Sequence, residues 1–266
     1  MKLYDVKFKK KLGQNFLKDN KIVKRIVDTS GVDSDSLVIE VGPGGGIMTK
    51  ELSLVSKNVV AYEIDKDLSS ELEKNLSGID NVEILYQDFL QADIRSDIDN
   101  YNYKNVYFVS NVPYYITTPI LMKLIKSGIH FENIVMMVQK EVGDRFSTLP
   151  GSREYGSITV LLNYYFDIKK EFFVSKKEFI PEPKVDSVVV SFHEKKDLLK
   201  VYNFEFFESL IHDSFQYKRK TIRNNLKEYD LKKVDKVLQK YHYDLNVRAE
   251  CLSYELFVEL ANVLWK

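Results

Sequence analysis

The chain has 266 residues, 44% hydrophobic and 29% charged, with a formal net charge of zero, enough for one large domain or a large and a small one. No apolar run approaches the length of a membrane span, and the lysine-rich start lacks a signal peptide's apolar segment, so a cytoplasmic protein with no membrane partner is expected. Cys251 is the single cysteine, which excludes an internal disulfide or a cysteine-based metal cluster and suggests a buried small hydrophobe. His130, His193, His212 and His242 lack ligand-like spacing, so no metal is expected.

Charge is unevenly placed. Residues 1–25 carry nine Lys or Arg, among them Lys9, Lys10 and Lys11, against Asp5 and Asp19, a local +7 that leaves −7 for the remainder. A basic arm on an acidic body is a footprint for phosphate contacts. From Leu37 onward short apolar strands alternate with helix-like stretches, which predicts a mostly parallel sheet covered by helices. Strands are predicted at Leu37 to Val41, Asn58 to Ile64, Val82 to Tyr86, Tyr107 to Val109 and Ile134 to Val138; helices at Gly46 to Val55, Lys66 to Leu76 and Pro119 to Lys126. The extended runs Tyr164 to Phe173 and Val185 to Phe192 leave no room for a crossover helix, so an antiparallel edge is expected.

Beyond His193 the texture becomes helical, as in Phe204 to Asn225 and Leu231 to Tyr241. The predicted division is therefore 1–193, an α/β ligand-binding domain with its arm, and 194–266, a small all-helical domain. Lys218, Arg219 and Lys220 in succession, with Arg223 and Lys227 at helical spacing, are candidates for contact with a nucleic-acid backbone.

Glu40-Val41-Gly42-Pro43-Gly44-Gly45-Gly46 ends the first strand and opens a helix, where glycines let backbone approach a ligand. Ile47 stands where the dinucleotide fingerprint needs its third glycine, and no lysine completes a phosphate loop, so a nucleoside without a pyrophosphate is expected. Glu63 ends the second strand about twenty residues on, placed to accept from both ribose hydroxyls. Asp88 follows the third strand, in reach of an adenine amino group or able to cap a short turn. Asn111-Val112-Pro113-Tyr114 follows the fourth. An amide oxygen, a carbonyl held in direction by a proline and an aromatic ring can together grip the exocyclic amino group of a nucleobase. Strand carboxyl ends form the ligand crevice of open α/β sheets, so all four features converge on one cleft.

With these residues in view the chain resembles the S-adenosylmethionine-dependent rRNA adenine N6,N6-dimethyltransferases. The resemblance spans nearly the whole length and is carried by Gly13-Gln14-Asn15-Phe16-Leu17, the Glu40 to Gly46 loop, Glu63, Asp88, Asn111 to Tyr114, and Phe179-Ile180-Pro181-Glu182-Pro183-Lys184-Val185-Asp186-Ser187. Gln139 to Arg145, Pro150-Gly151-Ser152, Tyr155-Gly156 and Ser214 to Leu226 point to the branch acting on 16S rRNA of the small subunit. It implies a Rossmann-like fold and S-adenosyl-L-methionine as cofactor, held by Asn15, Leu17, Gly42, Gly44, Glu63, Asp88 and Asn111. It also implies that Phe179 contacts the target base opposite Tyr114, with Asn111 and Pro113 at the reaction centre. The expected partner is rRNA in the assembling small subunit, met by a monomer that dimethylates two adjacent adenosines. Tyr115 departs from the family's asparagine and Val112 from its leucine. The rival readings are a large-subunit rRNA or a DNA adenine methyltransferase, a non-catalytic RNA-binding assembly factor, and a nicotinamide-dependent oxidoreductase.

Overall fold

The structure is a computed structural model and describes residues 15–265. After the two-residue strand β1 (Phe16–Leu17) comes α1 (Asn20–Ser30). Strands and helices then alternate: β2 (Ser36–Val41), α2 (Ile47–Ser53), β3 (Asn58–Tyr62), α3 (Ser69–Asn75), β4 (Val82–Leu85), α4 (Ile94–Ile98), β5 (Asn105–Asn111), α5 (Thr117–Lys126) and β6 (Asn133–Gln139). Helices α6 (Lys140–Phe146) and α7 (Ser157–Tyr165) lead to β7 (Phe166–Val174), the two-residue β8 (Phe179–Ile180) and β9 (Ser187–Glu194). The chain continues through α8 (Phe204–Ser214), α9 (Ile222–Asn225), α10 (Leu231–Lys240) and α11 (Tyr254–Trp265).

Two compact units result. One is Met1–Gly143 with Lys169–Glu194; the other is Asp144–Ile168 with Lys195–Lys266. A seven-stranded sheet in the order β4-β3-β2-β5-β6-β9-β7 organises the first. Pairs β2–β3, β3–β4, β2–β5 and β5–β6 are parallel, and β6–β9 is antiparallel. Every residue of β2 and all but the last of β6 are buried, as strands covered on both faces require; this is why they read as unbroken apolar runs. On one face α1 and α2 pack Val23, Ile26, Val27, Met48 and Leu52 against Val38, Tyr107, Val135 and Val189. The chain runs from β2 through β3 to β4 on one side, then returns to add β5 and β6 on the other. That reversal puts the topological switch point between β2 and β5, where strand ends leave a crevice.

The sequence reading missed α1. Asp19 caps it through the Lys21 N–H at 2.8 Å, Gly31 ends it in the left-handed region, and Val23, Ile26, Val27 and Ser30 are its buried face. The basic residues Lys21, Lys24 and Arg25 therefore belong to an ordered helix, with Arg25 lying 3.9 Å over the Phe172 ring. Gly143 on α6 has the opposite constraint: a Cβ there would sit 2.3 Å from Val188 Cγ1 and 3.1 Å from Val190 Cγ2. Gly143→Ala is expected to destabilise by about 1–2 kcal/mol, because overpacking outweighs the gain in helix propensity. A lower urea midpoint with unchanged slope checks it.

The helical unit is larger than the predicted 194–266, since it takes in Asp144–Ile168. Aromatic packing explains the difference. Tyr164 and Tyr165 lie against Phe204, Tyr164 also against Phe207, and Tyr155 against Phe215, while the Gly151 N–H donates to Glu250 O at 2.7 Å. Tyr164 and Tyr165 end a helix here rather than beginning an extended run. The predicted helix from Phe204 to Asn225 is broken: α8 stops at Ser214 and α9 starts at Ile222. Cys251 is half-buried, not buried. Among the described residues no helix is long and apolar enough to cross a membrane.

Candidate active site

A cleft of about 270 Å³ opens at the carboxyl ends of β2 to β5. Its walls include the Gly42–Gly45 loop, Glu63, Asp88 and Asn111. Gly42 and Gly44 have φ of 73° and 58°, conformations that side-chain-bearing residues seldom adopt. A Cβ on Gly44 would also lie 2.5 Å from Phe16 Cε1, so the loop and β1 meet closely only because glycine stands there. The Gly42 N–H donates to Tyr62 O at 2.9 Å, and Asn75 Nδ2 donates to Gly45 O at 2.9 Å. Backbone bonds and a side chain from α3 thus hold the loop's shape.

Three carboxyls line the cleft. Glu63 is buried; its two oxygens accept from the Asp65 N–H at 2.7 Å and the Gly44 N–H at 3.3 Å. Burial raises its pKa, those backbone donors oppose the rise, and the neighbouring Asp65 charge adds to it. Asp88 is half-buried and uses Oδ1 to cap the Leu90 N–H at 2.9 Å, which leaves Oδ2 for a ligand. The cap and the ligand-facing role considered for Asp88 are therefore compatible.

The third carboxyl, Glu40, was not singled out from the sequence. It is fully buried, and the polar group beside it is the Thr49 hydroxyl, close enough to favour the charged form but not aligned for a full hydrogen bond with either oxygen. Burial pushes its pKa up to about 8, opposed by Thr49 and reinforced by the Glu63 charge. An acid inside the otherwise apolar run Leu37–Val41 was the available signal, since a buried carboxyl without good partners is costly and needs a reason.

At the end of β5, Asn111 Nδ2 donates to the Asn15 carbonyl at 3.1 Å. That bond sets the amide's orientation and leaves Oδ1 as an acceptor. The chain then turns through Pro113 into a tight 3-10 turn, Tyr114–Ile116, closed by the Ile116 N–H on Pro113 O at 3.1 Å. With the Pro113 carbonyl so engaged, the carbonyl of Val112 is the one left before the proline. The Tyr114 hydroxyl shares a 2.7 Å hydrogen bond with Ser187 Oγ on β9. Burial raises the Tyr114 pKa and the Ser187 bond opposes that rise; the net upward direction keeps the hydroxyl neutral at ordinary pH. The Asn111 and Phe179–Ser187 motifs are thereby physically joined.

Asn15 and Leu17 line the cleft through β1, which pairs antiparallel with β8 as Phe16↔Ile180 and Leu17↔Phe179. The resemblance sets Phe179 against the target base, opposite Tyr114. Phe179 is fully buried in the core with Leu17, Val23 and Val174 and is not part of the cleft wall. In this structure it supports the strand that carries Leu17. Lys9, Lys10 and Lys11 lie outside the described residues, as do Gly13 and Gln14. In the helical unit Lys218, Arg219 and Lys220 are exposed in the break between α8 and α9, and Arg223 is exposed on α9.

The comparisons with known proteins agree with this geometry. A ribosomal RNA small subunit methyltransferase A from Bacillus pumilus is 43% identical over 276 residues, covering 100% of this chain and 94% of the relative. The crystal structure of a dimethyladenosine transferase from Plasmodium falciparum matches with a TM-score of 0.76 at 25% identity, covering 92% of this chain and 95% of that one. That of the 23S rRNA methyltransferase ErmE matches with a TM-score of 0.73 at 27% identity, covering 94% and 100%. The family model described as ribosomal RNA adenine dimethylase matches residues 5–266. Matched along nearly its whole length, the chain belongs to the ribosomal RNA adenine dimethylase family.

Proposed function

We propose that the protein uses S-adenosyl-L-methionine to dimethylate the N6 amino groups of two adjacent adenosines in 16S rRNA of the assembling small ribosomal subunit. The observation that carries this reading is the Asn111 amide, tethered to the Asn15 carbonyl at 3.1 Å so that Oδ1 is left to accept, in a cleft shared with Glu63 and Asp88. The cleft fits the cofactor: a glycine cradle that side chains would fill, Glu63 for the ribose hydroxyls, Asp88 Oδ2 for an adenine amino group, and Asn15 and Leu17 closing the wall. When bound, S-adenosylmethionine supplies a methyl group already activated on a sulfonium.

The chain's own residues do the positioning. Asn111 Oδ1 and the Val112 carbonyl accept the two N6 hydrogens, which draws the nitrogen lone pair out of conjugation with the ring and leaves it nucleophilic. The N–CH3 bond would form as the S–CH3 bond breaks to leave a neutral thioether, the methylated nitrogen would release one of its protons to water, and repetition would give the dimethylated base. Tyr114 stacks on the ring, a contact worth about 1–3 kcal/mol, and its bond to Ser187 keeps it in place. The adenine must be unpaired or extruded to reach the cleft. Holding reacting groups in line contributes up to roughly 7–11 kcal/mol, so no covalent intermediate is needed.

Lys9, Lys10, Lys11, Lys218, Arg219, Lys220 and Arg223 contact RNA phosphates in this reading, so binding weakens as salt rises. Small-subunit RNA is preferred over large-subunit RNA because the small-subunit relative is 43% identical and the ErmE structure 27%. The cofactor assignment is tested by calorimetry. Glu63→Ala is expected to raise the Kd for S-adenosylmethionine about 10- to 100-fold, the loss of hydrogen bonds to a charged group. An unchanged Kd removes Glu63 from the ribose role. Label from S-adenosylmethionine is expected in small-subunit RNA and not in large-subunit RNA or DNA; the reverse pattern overturns the substrate.

A further inference from the structure

Beside the cleft lies a second cavity of about 320 Å³, lined by Asn15, Tyr114, Tyr115 and Gln139. It shares its first three residues with the cleft but not Asn111. A base held against its outer residues, Tyr115 and Gln139, would lie beside the target base that Tyr114 stacks on. We propose that this cavity is a subsite for the nucleobase adjacent to the target adenine, which stacks on the Tyr115 ring. The inference rests on the methyl-transfer reading above.

Tyr115 is 59% exposed, whereas Val112, three residues earlier and just before the turn, is 1% exposed. Its ring is thus outside the core, at the lip of a ligand cleft. None of the four lining side chains carries a formal charge, which suits a flat neutral base rather than a phosphate. Gln139 ends β6 and pairs in register with Ser187, the residue that anchors Tyr114. Its amide both donates and accepts, as needed at a nucleobase edge. Extruding one nucleotide removes a stacking partner from its covalent neighbour, and an aromatic platform can replace that partner because every base has a π-face.

The test is steady-state methyl transfer to undermethylated small subunits, with cofactor affinity measured by calorimetry on the same preparations. Tyr115→Ala is expected to raise KM for the subunit about tenfold or more, the size of one base–aromatic stack. The Kd for S-adenosylmethionine should stay within about twofold, and Tyr115→Phe should restore KM. Gln139→Ala should raise KM by less. An unchanged KM in Tyr115→Ala overturns the inference, and so does a loss of cofactor affinity equal to the loss in KM, which would make Tyr115 part of the cofactor site. Wild-type protein that transfers no methyl group overturns the methyl-transfer reading and this subsite with it; wild-type turnover with an indifferent Tyr115→Ala overturns the subsite alone.

Discussion

Asn111→Ala is expected to lower methyl transfer about 10²- to 10³-fold, the usual loss when one preorganised polar group at a reacting centre is removed. Cofactor Kd should change only a few-fold, because the glycine loop, Glu63 and Asp88 remain. The asymmetry follows from the hydrogen bonding. Asn111 spends its Nδ2 on the Asn15 carbonyl at 3.1 Å and keeps Oδ1 for the amino group, so its contribution falls on the transfer step. Asn111→Asp sharpens the point: it retains oxygens but cannot donate to Asn15, and it places a negative charge against that carbonyl. It too should be slow. Single-turnover rates with small subunits, set beside calorimetric Kd values, check both variants; a near-normal rate in Asn111→Ala takes Asn111 out of the catalytic role.

The second large effect is on stability. The Glu40 carboxyl has an ordinary pKa of 4.5 when solvated and about 8 in the fold, from burial first and the Glu63 charge beside it. Between those values the native state holds a proton that the unfolded chain has lost, so stability falls as pH rises through 4.5 to 8 and levels off above. Glu40→Gln keeps the shape and the unsatisfied polar atoms but cannot ionise. Relative to wild type it should gain on the order of a few kcal/mol above pH 8, since each pKa unit is worth 1.36 kcal/mol, and nothing comparable below pH 4.5. Urea unfolding at the two extremes measures the difference. Parallel pH profiles for the two proteins would show that Glu40 does not take up a proton on folding.

Most of the fold was legible because parallel strands buried on both faces are written as apolar runs, and a glycine or polar residue stands where β2, β3, β5 and β6 end. Glu63 and Asn111 were placed at strand ends in that way, and both line the cleft. Asn105 and Asn111, the polar ends of β5, hid that strand's full length. Helix α1 is obscured in the sequence because Lys21, Lys24 and Arg25 interrupt the helical period of Val23, Ile26 and Val27. The break between α8 and α9 was hidden in the opposite way, by apolar spacing that continues across a turn. Phe179 shows a further limit: an aromatic in a recognisable motif is equally suited to a core and to a ligand, and only its packing against Leu17 and Val174 decides. The assignment of 144–168 to the helical unit depends on contacts of Tyr155 and Tyr164 with residues 40 or more positions away, which no local pattern records.

In the proposed reaction the cleft around Asn111 methylates adenine N6. Its most direct test is site-resolved mass spectrometry of small-subunit RNA after incubation with the protein and labelled S-adenosylmethionine, with Asn111→Ala in parallel. Two labelled methyl groups on N6 of each of two adjacent adenosines, formed by the wild type and nearly absent with the variant, are the predicted result. Label on another atom or only in large-subunit RNA, or equal labelling by the variant, would contradict it.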